Sequence, residues 1–329
     1  MTLPLPPISP RVDNPAAVVI GGANTDQKAQ TVARPVPGTS NPGHIRTSLG
    51  GVGRNVAENL ARLGVSTALI TAVGADPEGD WLIRETESAG VDLRHVVATQ
   101  HHTGSYCATL DETGEMIIAV SAMRAMDDVR AEMVDSRRAL IANARMLVLD
   151  CNVPEDGLLR AAEIARENEV PVIVDPVSVQ KARRVSSILA AGLPLHTITP
   201  NLDELRELTG SVDSSRADLC AASAQLHAAG VQNVWISLGA NGSFLSSVAD
   251  AAQRVEMIAA YQATLVDATG AGDAMLAGYI LGSLRGLDAF AAARYGHAAA
   301  AITVESEKTV NPLIDLAKLL GRVTRSTDA

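Results

Sequence analysis

The sequence predicts an α/β protein with a central, mostly parallel sheet, helices on both of its faces and a small β lid. Three observations carry this. Short apolar, β-rich runs recur along the chain, stretches with helical period separate them, and two segments fit neither pattern.

In chain order, the apolar runs lie at 17–21, 67–73, 146–149, 170–174, 197–198 and 234–238. They do not alternate with polar residues, which is the signature of strands buried on both faces. Residues 54–63 read as a helix, with Val56, Leu60 and Leu63 along one side and Glu58 and Arg62 on the other. Residues 158–168, 203–209 and 217–229 follow the same logic, and 270–284 and 289–304 read as helices rich in Ala and Gly. Strand–helix alternation of this kind implies a parallel sheet covered on both sides. The exceptions are 24–49, punctuated by Pro and Gly, and 106–120, a hairpin turning at 111–114. Neither has a helix to cover it, so 24–49 and 101–120 are expected to form a second small sheet, a lid over a cleft. With no internal repeat or long linker, 16–325 is expected to be one domain. Residues 1–15, with five prolines, read as a flexible tail.

Composition narrows the function classes. At 47% hydrophobic and 19% charged, the 329 residues can bury a large core. A net charge of −10 argues against a nucleic-acid-coating surface. No run of about 18 uncharged apolar residues occurs, so no membrane span is expected. Cys107, Cys151 and Cys220 are widely spaced, without CxxC or His partners, and read as reduced thiols of a cytoplasmic protein. Aromatics are only 2%, so a substrate is expected to be held mainly by hydrogen bonds.

The most informative stretch is Val266-Asp-Ala-Thr-Gly-Ala-Gly-Asp-Ala274, at the start of a small-residue helix. Gly270 and Gly272 free the backbone to point several N–H groups one way, and the helix adds its positive end. That geometry suits a multiply charged oxyanion, with Asp273 beside it. Alone, the same residues could also make only a tight loop and a cap. No GxxxxGK[ST] phosphate loop occurs, the GxG at 51–53 has Val56 where a dinucleotide fingerprint has its third glycine, and there is no His-Arg-Asp loop.

The 267–273 stretch closely resembles the C-terminal motif of the ribokinase-like (PfkB-type) kinases. That resemblance implies a ribokinase-like fold and transfer of the γ-phosphate of ATP to a sugar or nucleoside hydroxyl. It makes Asp273 the base, and Gly270, Ala271 and Gly272 the anion hole. Phosphoryl transfer is loose, so an ordinary carboxylate suffices. Gly50-Gly-Val-Gly-Arg-Asn-Val-Ala-Glu-Asn-Leu-Ala-Arg-Leu-Gly64 resembles the N-terminal family motif, whose turn (Gly51, Gly53) and Asn55 hold sugar hydroxyls. Gly22-Ala-Asn-Thr-Asp26 resembles the family's Asn-x-Asp pair, giving Asn24 and Asp26 to the sugar; a carboxylate can accept two O–H donors. Asn201-Leu-Asp-Glu204 resembles the Asn-x-x-Glu element that serves Mg²⁺ and the phosphates, with Glu204 acting through water. The same four residues also read as a helix capping box. Ser237-Leu-Gly-Ala-Asn-Gly242 resembles the nucleotide loop (Ser237, Gly239, Gly242). The helix around 296–301 would then lie near the adenine, or simply pack. Asp267 and Thr269 resemble part of a monovalent-cation (K⁺) site. Lid sheets of the family often pair, which implies a homodimer through the lid.

Thr39-Ser-Asn-Pro-Gly43, Arg54 in the glycine motif, Leu149-Asp-Cys-Asn152 and Val174-Asp-Pro-Val-Ser178 with Lys181 resemble the bacterial pseudouridine kinases, which act on the ribose 5′-hydroxyl. On this resemblance Asn152 belongs with the nucleoside and Lys181 with the nucleotide, while Thr39, Ser40 and Asn41 are candidates to read the base. The alternatives are a ribokinase, another nucleoside kinase or a non-catalytic relative that only binds ligand; a Rossmann dehydrogenase is disfavoured by the missing glycine.

Overall fold

The computed structural model describes residues 14–210, 212–249 and 253–327. Most of the expected N-terminal tail lies outside the described residues. The main sheet runs in the order β14-β13-β12-β11-β10-β9-β1-β4. Its strands are β1 (Ala17–Ile20), β4 (Thr67–Ile70), β9 (Met146–Asp150), β10 (Val172–Asp175), β11 (Leu195–Ile198), β12 (Val231–Ser237), β13 (Ser243–Ser247) and β14 (Arg254–Ile258). The six from β4 to β12 are parallel, and β13 and β14 close one edge antiparallel.

Burial on both faces explains the unbroken apolar runs. Val18 and Ile20 of β1, Leu147 and Leu149 of β9, and Val234 and Ile236 of β12 pack on one face with α5 (Glu155–Glu167), α6 (Val179–Ala190) and α8 (Arg216–Ala228). Their alternates Val19, Val148 and Trp235 pack on the other face with α1 (Val52–Arg62), α9 (Ala271–Leu284) and α10 (Ala289–Thr303). Each Val, Leu or Ile so buried stabilises the fold by about 1.5–3 kcal/mol before entropy is charged. The remaining helices are α2 (Pro77–Ser88), α3 (Ala131–Asp135), α4 (Arg138–Ala142), α7 (Leu202–Thr209) and α11 (Leu316–Thr327).

The expected strand at 67–73 divides at Thr71. Beyond Ile70 the chain loses its partner, because β1 ends at Ile20 and Gly21 turns away. Val97 then donates to the Thr71 carbonyl at 2.8 Å. β5 (Ala72–Gly74) pairs instead with β6 (Val97–Thr99) in a separate two-stranded sheet. Helix α2, which sequence periodicity did not single out, starts at an Asp76 cap that accepts from Gly79 N, with Pro77 in its first turn.

The two exceptional segments form a four-stranded sheet, β3-β2-β7-β8, apart from the main one. It contains β2 (Asn24–Thr31), β3 (Gly43–Gly50), β7 (Gly104–Leu110) and β8 (Met116–Ala122). The β7–β8 turn is tied by Asp111, whose Oδ1 accepts from the amides of Thr113 and Glu115 at 2.8 and 3.0 Å. β2 leaves the carboxyl end of β1 and β3 runs into α1, so this sheet stands at the carboxyl edge of the main sheet.

Candidate active site

The site grows from a close crossing of two backbones. The turn after β1 touches the start of α1: an added Cβ on Gly53 would lie 2.6 Å from Gly21 Cα, and one on Gly51 would lie 2.4 Å from the Gly22 carbonyl oxygen. Gly51 also has φ 93, a backbone region that favours glycine. Asp150, at the end of β9, joins the crossing. Its Oδ2 accepts from Gly22 N at 2.7 Å and Gly53 N at 2.6 Å, and its Oδ1 accepts from Asn152 N at 2.8 Å. Burial raises its carboxyl above the ordinary value despite these bonds.

This crossing sets the first turn of α1 against the first turn of α9. Asn55 Nδ2 donates to Asp273 Oδ2 at 2.7 Å. Burial, with the nearby charges of Asp150 and Asp26, raises the Asp273 carboxyl to about 7, against the pull of Asn55 and Arg54. Before it, Gly270 takes the left-handed conformation (φ 81), where a side chain would strike the Thr309 carbonyl. Ala271 N donates to the Ala268 carbonyl at 3.2 Å, so its amide is engaged. Gly272 is exposed, and nothing lies within 4 Å of where its Cβ would be. The open cradle at the helix start is therefore at Gly272, beside Asp273.

Asp273 and Gly272 share their cleft with Asp175, Thr199, Asn201, Glu204 and Ser237. Asn201 and Glu204 form the capping box of α7: Asn201 Oδ1 accepts from Glu204 N, and Glu204 Oε2 accepts from Asn201 N, both at 2.9 Å. Asp175 ends β10, where Thr199 Oγ1 and Val177 N donate to it. Val177 has φ 68, a strained conformation for a β-branched residue of the kind that collects at functional sites. Burial, with the charges of Glu204 and Asp273, lifts Asp175 well above the carboxylate range; Glu204 is raised by burial. Ser237 N reaches the Pro200 carbonyl at 3.0 Å, and Gly239 and Gly242 lie at either end of the short turn that follows.

On the side of the four-stranded sheet, Asn24 Nδ2 donates to Asp26 Oδ1 at 2.6 Å. Burial raises Asp26, opposed by Asn24, Lys28 and Arg54. Asp267 and Thr269 hold the ammonium of Lys28: Nζ lies 3.1 Å from Asp267 Oδ2 and 2.7 Å from Thr269 Oγ1, while Thr269 Oγ1 also donates to Asp267 Oδ1 at 2.6 Å. Burial would raise Asp267, but the bonds from Thr269 and Lys28 outweigh it and hold the carboxyl low. Lys28 thus links β2 to the loop before the cradle.

The expected residues Asn24, Asp26, Gly51, Gly53, Asn55, Gly270, Gly272 and Asp273 come together at the edge of the sheet. Asn152 and Lys181 are hydrogen-bonded to each other, so the two stand on the same side. Thr39, Ser40 and Asn41 are exposed on the β2–β3 connection and do not join the cluster. The Asn41 amide is committed to its own loop, accepting from Val36 N at 2.8 Å and donating to the Val36 and Thr39 carbonyls. Gly296 packs against the Trp235 ring and the Met275 carbonyl, so the small residues there serve helix packing. Asp150 and Asp175 carry no role in the sequence-based expectations, although the segments around them do. The available signal was position: both end parallel strands at the carboxyl edge, where open α/β sheets bind ligands.

A doubly covered parallel sheet, with a glycine cradle and a carboxylate at a helix start on its carboxyl edge, defines a phosphoryl-transfer enzyme of the ribokinase-like class. The chain belongs to the pfkB family of carbohydrate kinases, which it matches over residues 14–316, and it is a phosphotransferase with an alcohol as acceptor. It is 33% identical to the pseudouridine kinase of Escherichia coli K12, over 93% of this chain and 96% of that one. It is 30% identical to the ribokinase of Haemophilus influenzae, over 87% and 91%. Among solved structures, the Arabidopsis thaliana ribokinase complexed with ribose and ATP superposes with a TM-score of 0.83 at 25% identity, over 94% of this chain and 99% of that one. No helix among the described residues is long and apolar enough to cross a membrane.

Proposed function

We propose that this enzyme transfers the γ-phosphoryl group of ATP to the 5′-hydroxyl of a nucleoside, pseudouridine above others. The observation that carries the reading is Asp273 beside the open cradle at Gly272, with Asn24 and Asp26 nearby to hold a sugar. Asp26 accepts bonds from the ribose hydroxyls, and Asn55, Gly51 and Gly53 shape the floor beneath them. The 5′-oxygen attacks the γ-phosphorus, its proton passes to Asp273, and the bond to the departing ADP breaks. Gly272 and the start of α9 hold the transferring group, while Asn201, Ser237, Gly239, Gly242 and Thr269 line the nucleotide side. Lys181, expected with the nucleotide, is hydrogen-bonded to Asn152, and on this reading both are assigned to the acceptor side.

The cleft fits a hard cation. Asp175 and Glu204 face it together, and burial, with the charge of Glu204, raises Asp175. Mg²⁺ takes few carboxylates plus water and phosphates, so Glu204 would hold it through water. The chemistry such an ion would supply there is neutralisation of charge on the phosphates. At Asp267 and Thr269 the Lys28 ammonium supplies the positive charge that K⁺ would bring.

The four-stranded sheet acts as a lid over the acceptor. Its Ile45, Ile118 and Val120 are 60–72% exposed, which is the apolar surface a homodimer through the lid would cover. Val120→Lys is expected to convert a dimer to a monomer in analytical ultracentrifugation.

The pseudouridine reading is favoured by the E. coli relative and by Arg54 in the glycine motif. The H. influenzae relative favours ribose as a second reading. An ATP-consumption screen over ribose, adenosine, uridine and pseudouridine decides. Fastest turnover on pseudouridine supports the first reading, fastest on ribose supports the second, and none on any of the four would sink both.

A further inference from the structure

Asn55 is held at both ends of its amide. Nδ2 donates to Asp273 Oδ2, and Oδ1 accepts from Arg54 Nη1 at 2.7 Å. A primary amide can turn over unless its surroundings tell oxygen from nitrogen. A guanidinium is a donor only, so it can meet the oxygen end and not the NH₂ end. Arg54 is itself fixed: Nε donates to Thr86 Oγ1 at 3.3 Å, and the head is paired with Glu58 one turn along α1. Glu58 is held in turn by Arg62 at 2.7 Å. Arg54 and Glu58 are only 4% and 5% exposed. Burying such a pair offers little stability over an apolar pair of similar size, so its presence one residue from Asn55 calls for another reason.

We propose that Arg54 is a positioning residue for phosphoryl transfer: it fixes the Asn55 amide so that its NH₂ meets Asp273, and it sets a positive charge against a carboxylate surrounded by others. This rests on the reading of Asp273 as the base. Asp273 faces Asp26 from β2 and Asp150 and Asp175 from the ends of β9 and β10, all of one sign, with Arg54 opposing them from α1. Losing Arg54 removes both the orienting bond and the opposing charge, so the base holds its proton to higher pH.

The test is the pH profile of kcat, with the substrate the screen identifies, for the wild type, Glu58→Gln, the double variant Arg54→Met/Glu58→Gln, and Asp273→Asn. The double variant removes the guanidinium without leaving a charged partner buried. Its acidic limb is expected to move up by about one pH unit, giving about tenfold lower kcat on the acidic side and recovery in alkali. Glu58→Gln, which keeps Arg54, is expected to hold the wild-type limb. A folded double variant with an unmoved limb, or with the same loss at every pH, overturns the proposal. If that variant fails to fold, as circular dichroism melting would show, Arg54→Gln replaces it; an unmoved limb there is equally fatal. Turnover near wild type in Asp273→Asn sinks the base assignment itself. An inactive Asp273→Asn with unmoved limbs sinks only the role of Arg54.

Discussion

Asn55 and Asp273, 218 positions apart in sequence, meet through a 2.7 Å hydrogen bond that joins the start of one helix to the start of another. This bond links the glycine turn at the start of α1 to the glycine cradle at α9. Much of what the enzyme is expected to do can be tested around it.

On the reading of Asp273 as the base, Asp273→Asn keeps the shape and removes the proton acceptor, so kcat should fall about 10²–10⁴-fold with the fold intact. A variant retaining more than about a tenth of wild-type kcat would contradict the assignment. In the wild type, kcat should fall as pH drops through about 7, because the carboxyl raised to that value takes up the proton it must be free to accept. The same shift affects stability. A carboxyl raised in the folded state stabilises it when protonated, and that contribution is lost as pH rises through about 7. Asp273→Asn should therefore melt no lower than the wild type at alkaline pH.

Asp26→Ala should raise KM for the acceptor with little change in KM for ATP. Each charge-assisted bond lost costs about 1.5–3 kcal/mol. A 2′- or 3′-deoxy acceptor should reproduce part of the loss in the wild type. Equal effects on both substrates would show that Asp26 serves only the fold.

Glu204→Gln separates the two uses of one side chain. Glutamine can complete the capping box with Asn201, so the melting temperature should hold. The charge facing the cleft is gone, and the Mg²⁺ concentration for half-maximal activity should rise about tenfold. An unchanged Mg²⁺ requirement would leave Glu204 as a cap alone.

Lys28→Met cuts the link between β2 and the loop before the cradle. The ion pair is about one-third exposed on each side, so its loss is expected to cost at most about 1 kcal/mol of stability, seen as a fall of a few degrees or less in melting temperature. Added K⁺ should restore part of the loss in this variant while leaving the wild type unaffected. A wild type that K⁺ itself activates would contradict the role given to Lys28.

How much was legible follows from the range of the signals. Unbroken runs such as Val18–Val19–Ile20 and the stripe of Val56, Leu60 and Leu63 are local, because strand and helix periods act within a few residues. The capping box at Asn201 and Glu204 was legible for the same reason, and so were the glycines at 51 and 270, where the backbone allows little else. The break at Thr71 was not. It depends on where β1, some 50 residues earlier, runs out as a partner.

The sequence by itself determined the alternating α/β architecture, the two glycine turns and the carboxylate at the start of α9, since each is written in residues close together along the chain. Only the tertiary structure decided which groups meet them. Asp150 pins amides 128 and 97 positions away, Lys28 reaches Asp267 across 239 positions, and Arg54 turns Asn55 toward Asp273. Asn41, a plausible reader of the base from its neighbours in sequence, uses its amide to brace its own loop. A polar side chain is committed by whichever partner the packed chain brings within about 3 Å, and no local pattern encodes that distance.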